Sequence, residues 1–272
     1  MKLNKRIIPK TQIKFQNILQ RLVKEPILYS EFFDLLGKTS DKVFDTPELE
    51  YELLLLNGLP LDFDEENVYL KTTKTLIHEQ TFCVVDIETN GGSVKKGFQI
   101  IELGAVKYKN GEIIDKFESL VFAKDIPIYV QEVTNITPKM LENAPRIEKV
   151  LNDFKLFLKD DVFVAHDIKF DYTFISDSFE KYNLGKLLNR KLCTIDLTKR
   201  TIKSLKYGLS SLKELLNIDV SNHHRAYYDA LTTAIVLNKC LENLDFNKIK
   251  TVEDLITFSK SDNVINNQQK KD

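Results

Sequence analysis

Cysteine is scarce in this chain of 272 residues: three occur, at Cys83, Cys193 and Cys240, and none forms a CxxC pair. That excludes a disulfide scaffold and fits reduced core thiols in a reducing compartment. Glycine is sparse too, nine residues with no repeating period, which excludes collagen. No apolar run approaches the ~20 residues that a membrane span needs, so no membrane partner is expected. The opening stretch, MKLNKRIIPK, is basic but leads into neither an apolar core nor a small-residue cleavage site. No signal peptide is therefore expected, and the expected location is cytoplasmic. An excess of positive charge is also missing, since 39 Lys and Arg face 40 Asp and Glu. A grip on nucleic acid would have to be local, metal-assisted or delegated to a partner.

What is present is an ordinary globular balance, 43% hydrophobic and 29% charged. The length suits one domain with appendages, or two domains. Residues 1–78 read as a helical module ending in a hairpin. Ser30 precedes an apolar run that stops at Gly37, and Thr46-Pro47 opens a second run closed by Gly58. Leu59–Phe63 and Asn67–Lys71 flank an acidic turn and can pair. Helices before a hairpin suggest a winged-helix-like module. The helix that would enter DNA carries Glu48, Glu50 and Glu52, which favours a protein-contact or packing role.

Residues 79–244 have a different texture. Phe82-Cys83-Val84-Val85 reads as a buried strand, and Gln99–Lys109 and Glu112–Val121 as two more joined by an Asn110-Gly111 hairpin turn. Asp161–Ala165 and Lys191–Asp196 make five strands. Helical periodicity falls behind Pro145, at Phe170–Tyr182, at Ser210–Leu216 and at Arg225–Leu244. An antiparallel trio followed by alternating helix and strand predicts an α/β fold, a mixed sheet flanked by helices. Residues 245–272 read as a tail with a short helix, Thr251 and Asp254 forming a capping box, and a disordered polar end.

Four carboxylates stand out against this frame. Asp86 and Glu88 lie two apart at the end of the first strand, so they share a face and repel unless a cation or proton joins them. Asp171 follows a buried strand at the opening turn of a helix, where the helix dipole favours an acid. Asp229 sits on a helix with a broad apolar face (Ala226, Ala230, Thr233, Ala234, Leu237), where an unpaired carboxylate is costly. Taken alone, the Asp86/Glu88 pair reads at least as well as two surface acids and Asp171 better as a plain helix-start acid, whereas Asp229 is harder to dismiss. His224 precedes Asp229 by five residues, and just before the helix it can fold back toward the same place, with a pKa suited to taking a proton near neutrality. Hard oxygen ligands in this number suit Mg²⁺ or Mn²⁺, not zinc on cysteine. Two such ions held close together cut phosphodiesters.

Residues from about Thr81 to Leu244 resemble the DnaQ-like, or DEDDh, 3′–5′ exonucleases, which include the proofreading epsilon subunit of bacterial DNA polymerase III. The motifs that carry the resemblance are Asp86-Ile87-Glu88-Thr89, His166 through Phe170-Asp171, and His224-x-Ala226-x-x-Asp229. Asn135-Ile136-Thr137-Pro138 and Cys193-Thr194-Ile195-Asp196-Leu197 resemble lesser landmarks. The resemblance implies an RNase H-like fold and two divalent cations, Mg²⁺ or Mn²⁺. Asp86 would bridge the ions, Glu88 and Asp229 would help hold the catalytic one, and Asp171 would support the second. His224 would be the general base, and Thr89, His166 and Phe170 would contact the terminal nucleotide. Two departures are visible: Asp167-Ile168 after His166 where the family reads Asn-Ala, and Asn90 where it often has Thr.

A proofreading enzyme of DNA 3′ ends, handed its substrate by a DNA polymerase catalytic subunit, is the leading expectation. The alternatives are an RNA 3′–5′ exonuclease of the same fold and a non-catalytic scaffold subunit. Asp254-Leu255-Ile256-Thr257-Phe258 loosely resembles short apolar peptides that dock on a sliding clamp, without their usual Gln. A small helix packed on its own domain is the competing expectation.

Overall fold

The computed structural model describes residues 14–220 and 225–263. Its described residues divide into two compact units, one built from 14–56 and 61–71, the other from 57–60, 72–220 and 225–263. In the first unit, α1 (Phe15–Leu22), β1 (Ile27–Leu28), α2 (Tyr29–Gly37), α3 (Pro47–Leu56), β2 (Leu61–Phe63) and β3 (Asn67–Leu70) follow in order. The strands form an antiparallel sheet in the order β1-β3-β2. Ile18 and Leu22, one turn apart on α1, are buried, as are Phe32 and Leu36 on α2. The acidic turn of the hairpin is closed by Asp64, whose Oδ1 accepts the backbone N–H groups of Glu66 and Asn67.

The boundary differs from the one expected at 78. Residues 72–78 are tied to the second unit: the Thr72 hydroxyl donates to Glu253 Oε2 at 2.8 Å, and Val252 N–H donates to the Thr75 carbonyl at 3.1 Å. Asn57 belongs there as well, its carbonyl accepting Leu188 N–H at 2.8 Å.

The second unit is laid on a five-stranded sheet. Its elements run β4 (Phe82–Thr89), β5 (Ile100–Lys109), β6 (Glu112–Leu120), α4 (Ile128–Thr134), α5 (Pro138–Leu141), α6 (Ile147–Leu158), β7 (Val162–Ala165), α7 (Ile168–Lys181), β8 (Lys191–Cys193), α8 (Thr194–Thr201), α9 (Leu209–Leu215), α10 (Ala226–Glu242) and α11 (Val252–Lys260). Strand order is β6-β5-β4-β7-β8, antiparallel on the β5 and β6 side and parallel on the β7 and β8 side. This is the expected mixed sheet. Asn110 and Gly111 both take positive φ at the β5–β6 turn, the conformation that a two-residue hairpin of native twist requires.

β4 is the centre of the sheet and is buried on both faces. Phe82 and Val84 pack with Leu237 of α10 and Val252 of α11, whereas Cys83, Val85 and Ile87 pack with Phe154 of α6 and Phe174 of α7. Two expectations are corrected. The fifth strand ends at Cys193, and Thr194-Ile195-Asp196 opens α8 instead. The stretch after 244 is no tail as far as it is described: Val252, Leu255 and Ile256 are sealed into the core, and Thr251 and Asp254 form the expected capping box. No helix among the described residues is long and apolar enough to cross a membrane.

Candidate metal centre

Asp86 and Glu88 share strand parity with Phe82 and Val84, so they continue the α10 face of β4 past the point where the apolar packing stops. Asp229, one turn into α10, comes back toward them. One carboxylate oxygen from each of Asp86, Glu88 and Asp229 lies within 4.8 Å of the others. The close approach of α10 has an identifiable cause. Gly104 on β5 stands opposite Asp86, and a Cβ there would collide with the backbone of Ala226 and Tyr227. A bare backbone at Gly104, with Ala226 and Ala230 fully buried on the helix, lets α10 sit low enough to bring Asp229 to the strand.

Asp171 reaches the same place from the other face. The parallel pairing of β4 with β7 ends at Val84 and Val164, which leaves Ile87 without a partner on β7. Asp171, buried in the first turn of α7, accepts the Ile87 N–H at 3.2 Å. It thus supports the strand between the two acids without joining the triad of oxygens.

Burial and mutual repulsion drive the carboxylates toward their protonated forms. Asp86 is raised well above the ordinary carboxylate range, first by burial and then by the charges of Asp171, Glu88 and Asp229. Glu88 is raised to about 8 by burial and by Asp229 and Glu102, with Arg225 opposing. Asp171 is raised to about 8, mainly by burial, against the pull of its backbone hydrogen bonds. Such a cluster takes up protons or a cation. The donors are all hard carboxylate oxygens, with neither sulfur nor imidazole among the described members, and they fit Mg²⁺ or Mn²⁺.

The remaining sequence-predicted residues fall into three groups. Phe170, the residue before Asp171, is 40% exposed at the start of α7, its ring 5.8 Å from that of Phe174. Thr89 ends β4 at a register shift, its hydroxyl donating to the Gly91 carbonyl at 2.8 Å. His166 is engaged at both ring nitrogens, Nδ1 2.8 Å from the Thr194 hydroxyl and Nε2 2.9 Å from the Tyr207 carbonyl. A carbonyl only accepts, so Nε2 carries the proton and Nδ1 accepts from Thr194. Burial lowers the imidazole pKa and keeps it neutral. This histidine pins the end of β7 to the start of α8. Asp167, the N-cap of α7, has φ 69° and ψ 64°, a left-handed conformation that Asn and Asp tolerate better than other residues with a side chain, and its charge adds to the load on Asp171. His224 lies outside the described residues.

The sequence matches the exonuclease family (RNase_T) over residues 83–237, more than half of the chain. The chain belongs to that exonuclease family. The matched region holds all four carboxylates. A PolC-type DNA polymerase III of Staphylococcus saprophyticus is 36% identical over 208 residues, which is 75% of this chain but 14% of that polymerase. The exonuclease therefore spans about a seventh of the curated relative it matches. Among solved structures, exonuclease X in complex with 5′-overhanging duplex DNA superimposes with a TM-score of 0.51 at 23% identity, covering 65% of this chain and 99% of that one. The nuclease domain of 3′hExo, a DEDDh family member bound to rAMP, gives 0.53 at 17% identity, covering 60% and 92%. At these identities the likeness is one of fold, and the fold is the expected RNase H-like one.

Two residues of the exonuclease escaped the sequence reading. Glu102 on β5 has no exposed surface and is met by the guanidinium of Arg225 at 2.7 Å. The signal was present: Ile100-Ile101-Glu102-Leu103-Gly104-Ala105-Val106 is an apolar run with one acid in it, and a buried acid requires a partner.

Proposed function

We propose that this exonuclease is a metal-dependent 3′–5′ enzyme that removes nucleoside monophosphates from DNA 3′ ends, in the proofreading service of a bacterial replicative polymerase. The convergence of Asp86, Glu88 and Asp229, backed by Asp171, carries the reading. DNA is favoured because the matched relative is named a DNA polymerase III. Asp86, Glu88 and Asp229 would hold the catalytic ion, and Asp171 would support a second. When bound, such ions lower the pKa of water and stabilise the charge of the leaving oxygen. His224 takes the proton of the attacking water. Phe170 stacks on the base at the 3′ end, and the backbone around Thr89 borders its sugar. His166 acts on the nucleotide indirectly, by fixing the turn that carries Asp167 and Phe170.

The first unit is assigned to protein contact. On α3, Glu48 and Glu52 are exposed and would face phosphates unfavourably, while Glu50 turns inward to accept the Val43 and Phe44 N–H groups at 2.9 Å. Contact with a sliding clamp through Asp254–Phe258 would require Leu255 and Ile256 to leave the core, which makes the polymerase itself the favoured partner.

The test is digestion of end-labelled matched and mismatched oligonucleotides, DNA and RNA, with Mg²⁺ or Mn²⁺. The expected result is stepwise release from the 3′ end of DNA, faster at a mismatch, abolished by chelator and by Asp86→Ala. Preference for RNA would replace the substrate and keep the chemistry; no cleavage by wild-type protein would leave the scaffold reading.

A further inference from the structure

Glu102 lies on β5 in register with Glu88 on β4, one strand away from the acids but fully buried. Arg225 Nε donates to its two oxygens at 2.9 and 3.2 Å, and Arg225 Nη2 donates to Oε1 at 2.7 Å. The N–H of Ala226 donates to Oε2 at 3.0 Å. That N–H is one of the donors that the start of a helix leaves without an internal partner, and Arg225, the N-cap residue of α10, offers no side-chain cap of its own. Glu102 thus caps α10 from the neighbouring strand. The next link reaches the metal centre directly: the Arg225 carbonyl accepts Tyr228 N–H at 2.9 Å and Asp229 N–H at 3.1 Å, the opening hydrogen bonds of the helix.

We propose, on the basis of the exonuclease reading above, that the Glu102–Arg225 clamp is a positioning device for the metal centre. By fixing Arg225 and Ala226 on β5, it sets the height at which Asp229 meets Asp86 and Glu88. Neither clamp residue belongs to the triad of carboxylates. A buried charge pair in this location has two conceivable effects on a cation, and they differ in sign. Acting only through its field, Arg225 repels the cation, so its removal leaves affinity unchanged or raises it. Acting through geometry, its removal frees the start of α10 and lowers affinity.

Calorimetric titration of the full chain with Mn²⁺ separates the two. Arg225→Met is expected to bind about tenfold to a hundredfold more weakly than wild type, the usual cost of removing a residue that orients a ligand. Arg225→Lys is expected to recover little, because an ammonium cannot make the fork that holds both carboxylate oxygens. In DNA digestion the Met variant should need more metal for half-maximal rate, with the KM for oligonucleotide unchanged. Should Arg225→Met not fold, Arg225→Gln, which keeps one hydrogen bond to Glu102, carries the same sign test. Unchanged or tighter Mn²⁺ binding in the neutral variants, or full recovery in Arg225→Lys, overturns the clamp. Wild-type protein that binds no Mn²⁺ removes the reading beneath it.

Discussion

Asp86 is raised well above the ordinary carboxylate range by burial and by the charges of Asp171, Glu88 and Asp229 around it. Glu88 and Asp171 hold protons up to about 8, against ordinary values of 4.5 and 3.8. The folded state therefore binds more protons than the unfolded one across that interval. The stability this contributes is fully present at acid pH, below the unfolded values, and is lost as pH rises toward 8. Thermal melts in chelator should show a falling Tm from about pH 5 to about pH 8, and saturating Mn²⁺ should abolish the fall because the ion replaces the protons. A flat profile in chelator would contradict the cluster. Asp86→Asn removes one of the repelling charges. It should raise the chelator Tm at pH 8 by a few degrees, about 2–4 °C per kcal/mol for a chain of this size, while ending nuclease activity. At this scale the sequence was informative wherever a side chain opposed its surroundings. Asp229 on an apolar helix face and the Asp86/Glu88 alternation both led to the cluster. The part His166 plays in the fold was not legible, because its hydrogen bonds to Thr194 and to the Tyr207 carbonyl connect segments far apart in sequence.

Elements carry the site through their spacing. Gly104→Ala would force α10 away from β5, and overpacking of this kind costs about 1–3 kcal/mol. Its more telling effect is a weakened response to Mn²⁺, measurable as a smaller metal-induced rise in Tm than wild type shows. Leu255→Ala in α11 should cost about 2–5 kcal/mol, the price of a fully buried leucine, which denaturant unfolding would detect. A loss under 0.5 kcal/mol, as found for surface substitutions, would mean that α11 does not pack as described. Strands were legible because β4 and β5 are runs of apolar residues with a turn signal between β5 and β6. α8 was not. Its buried residues, Thr194, Leu197, Thr198 and Thr201, recur at helical spacing, but three of them are threonines. Thr198 and Thr201 satisfy their hydroxyls on carbonyls one turn back, at 2.5 and 3.0 Å, and so pass as core residues that no apolar pattern reveals.

The whole molecule has almost no net charge, and that bears on the proposed encounter with DNA. An enzyme held to phosphates by many lysines and arginines loses about 10³–10⁵ in affinity between 50 and 200 mM salt. For this exonuclease the KM for a free oligonucleotide should change far less over the same range, and a steady-state salt series would measure it. A steep dependence would indicate an extensive basic track and weaken the view that a polymerase delivers the substrate. The division of the chain was only partly readable, because composition changes at Thr81 whereas the physical units interleave. Asn57–Pro60 is built into the second unit although residues on both sides of it belong to the first. Leu59 is 1% exposed, and the Asn57 carbonyl is bonded to Leu188. Anyone exchanging the front module for a foreign one must leave that four-residue stitch behind, and anyone moving the second unit elsewhere must take it along; a cassette cut cleanly at Thr72 would tear the fabric in either case.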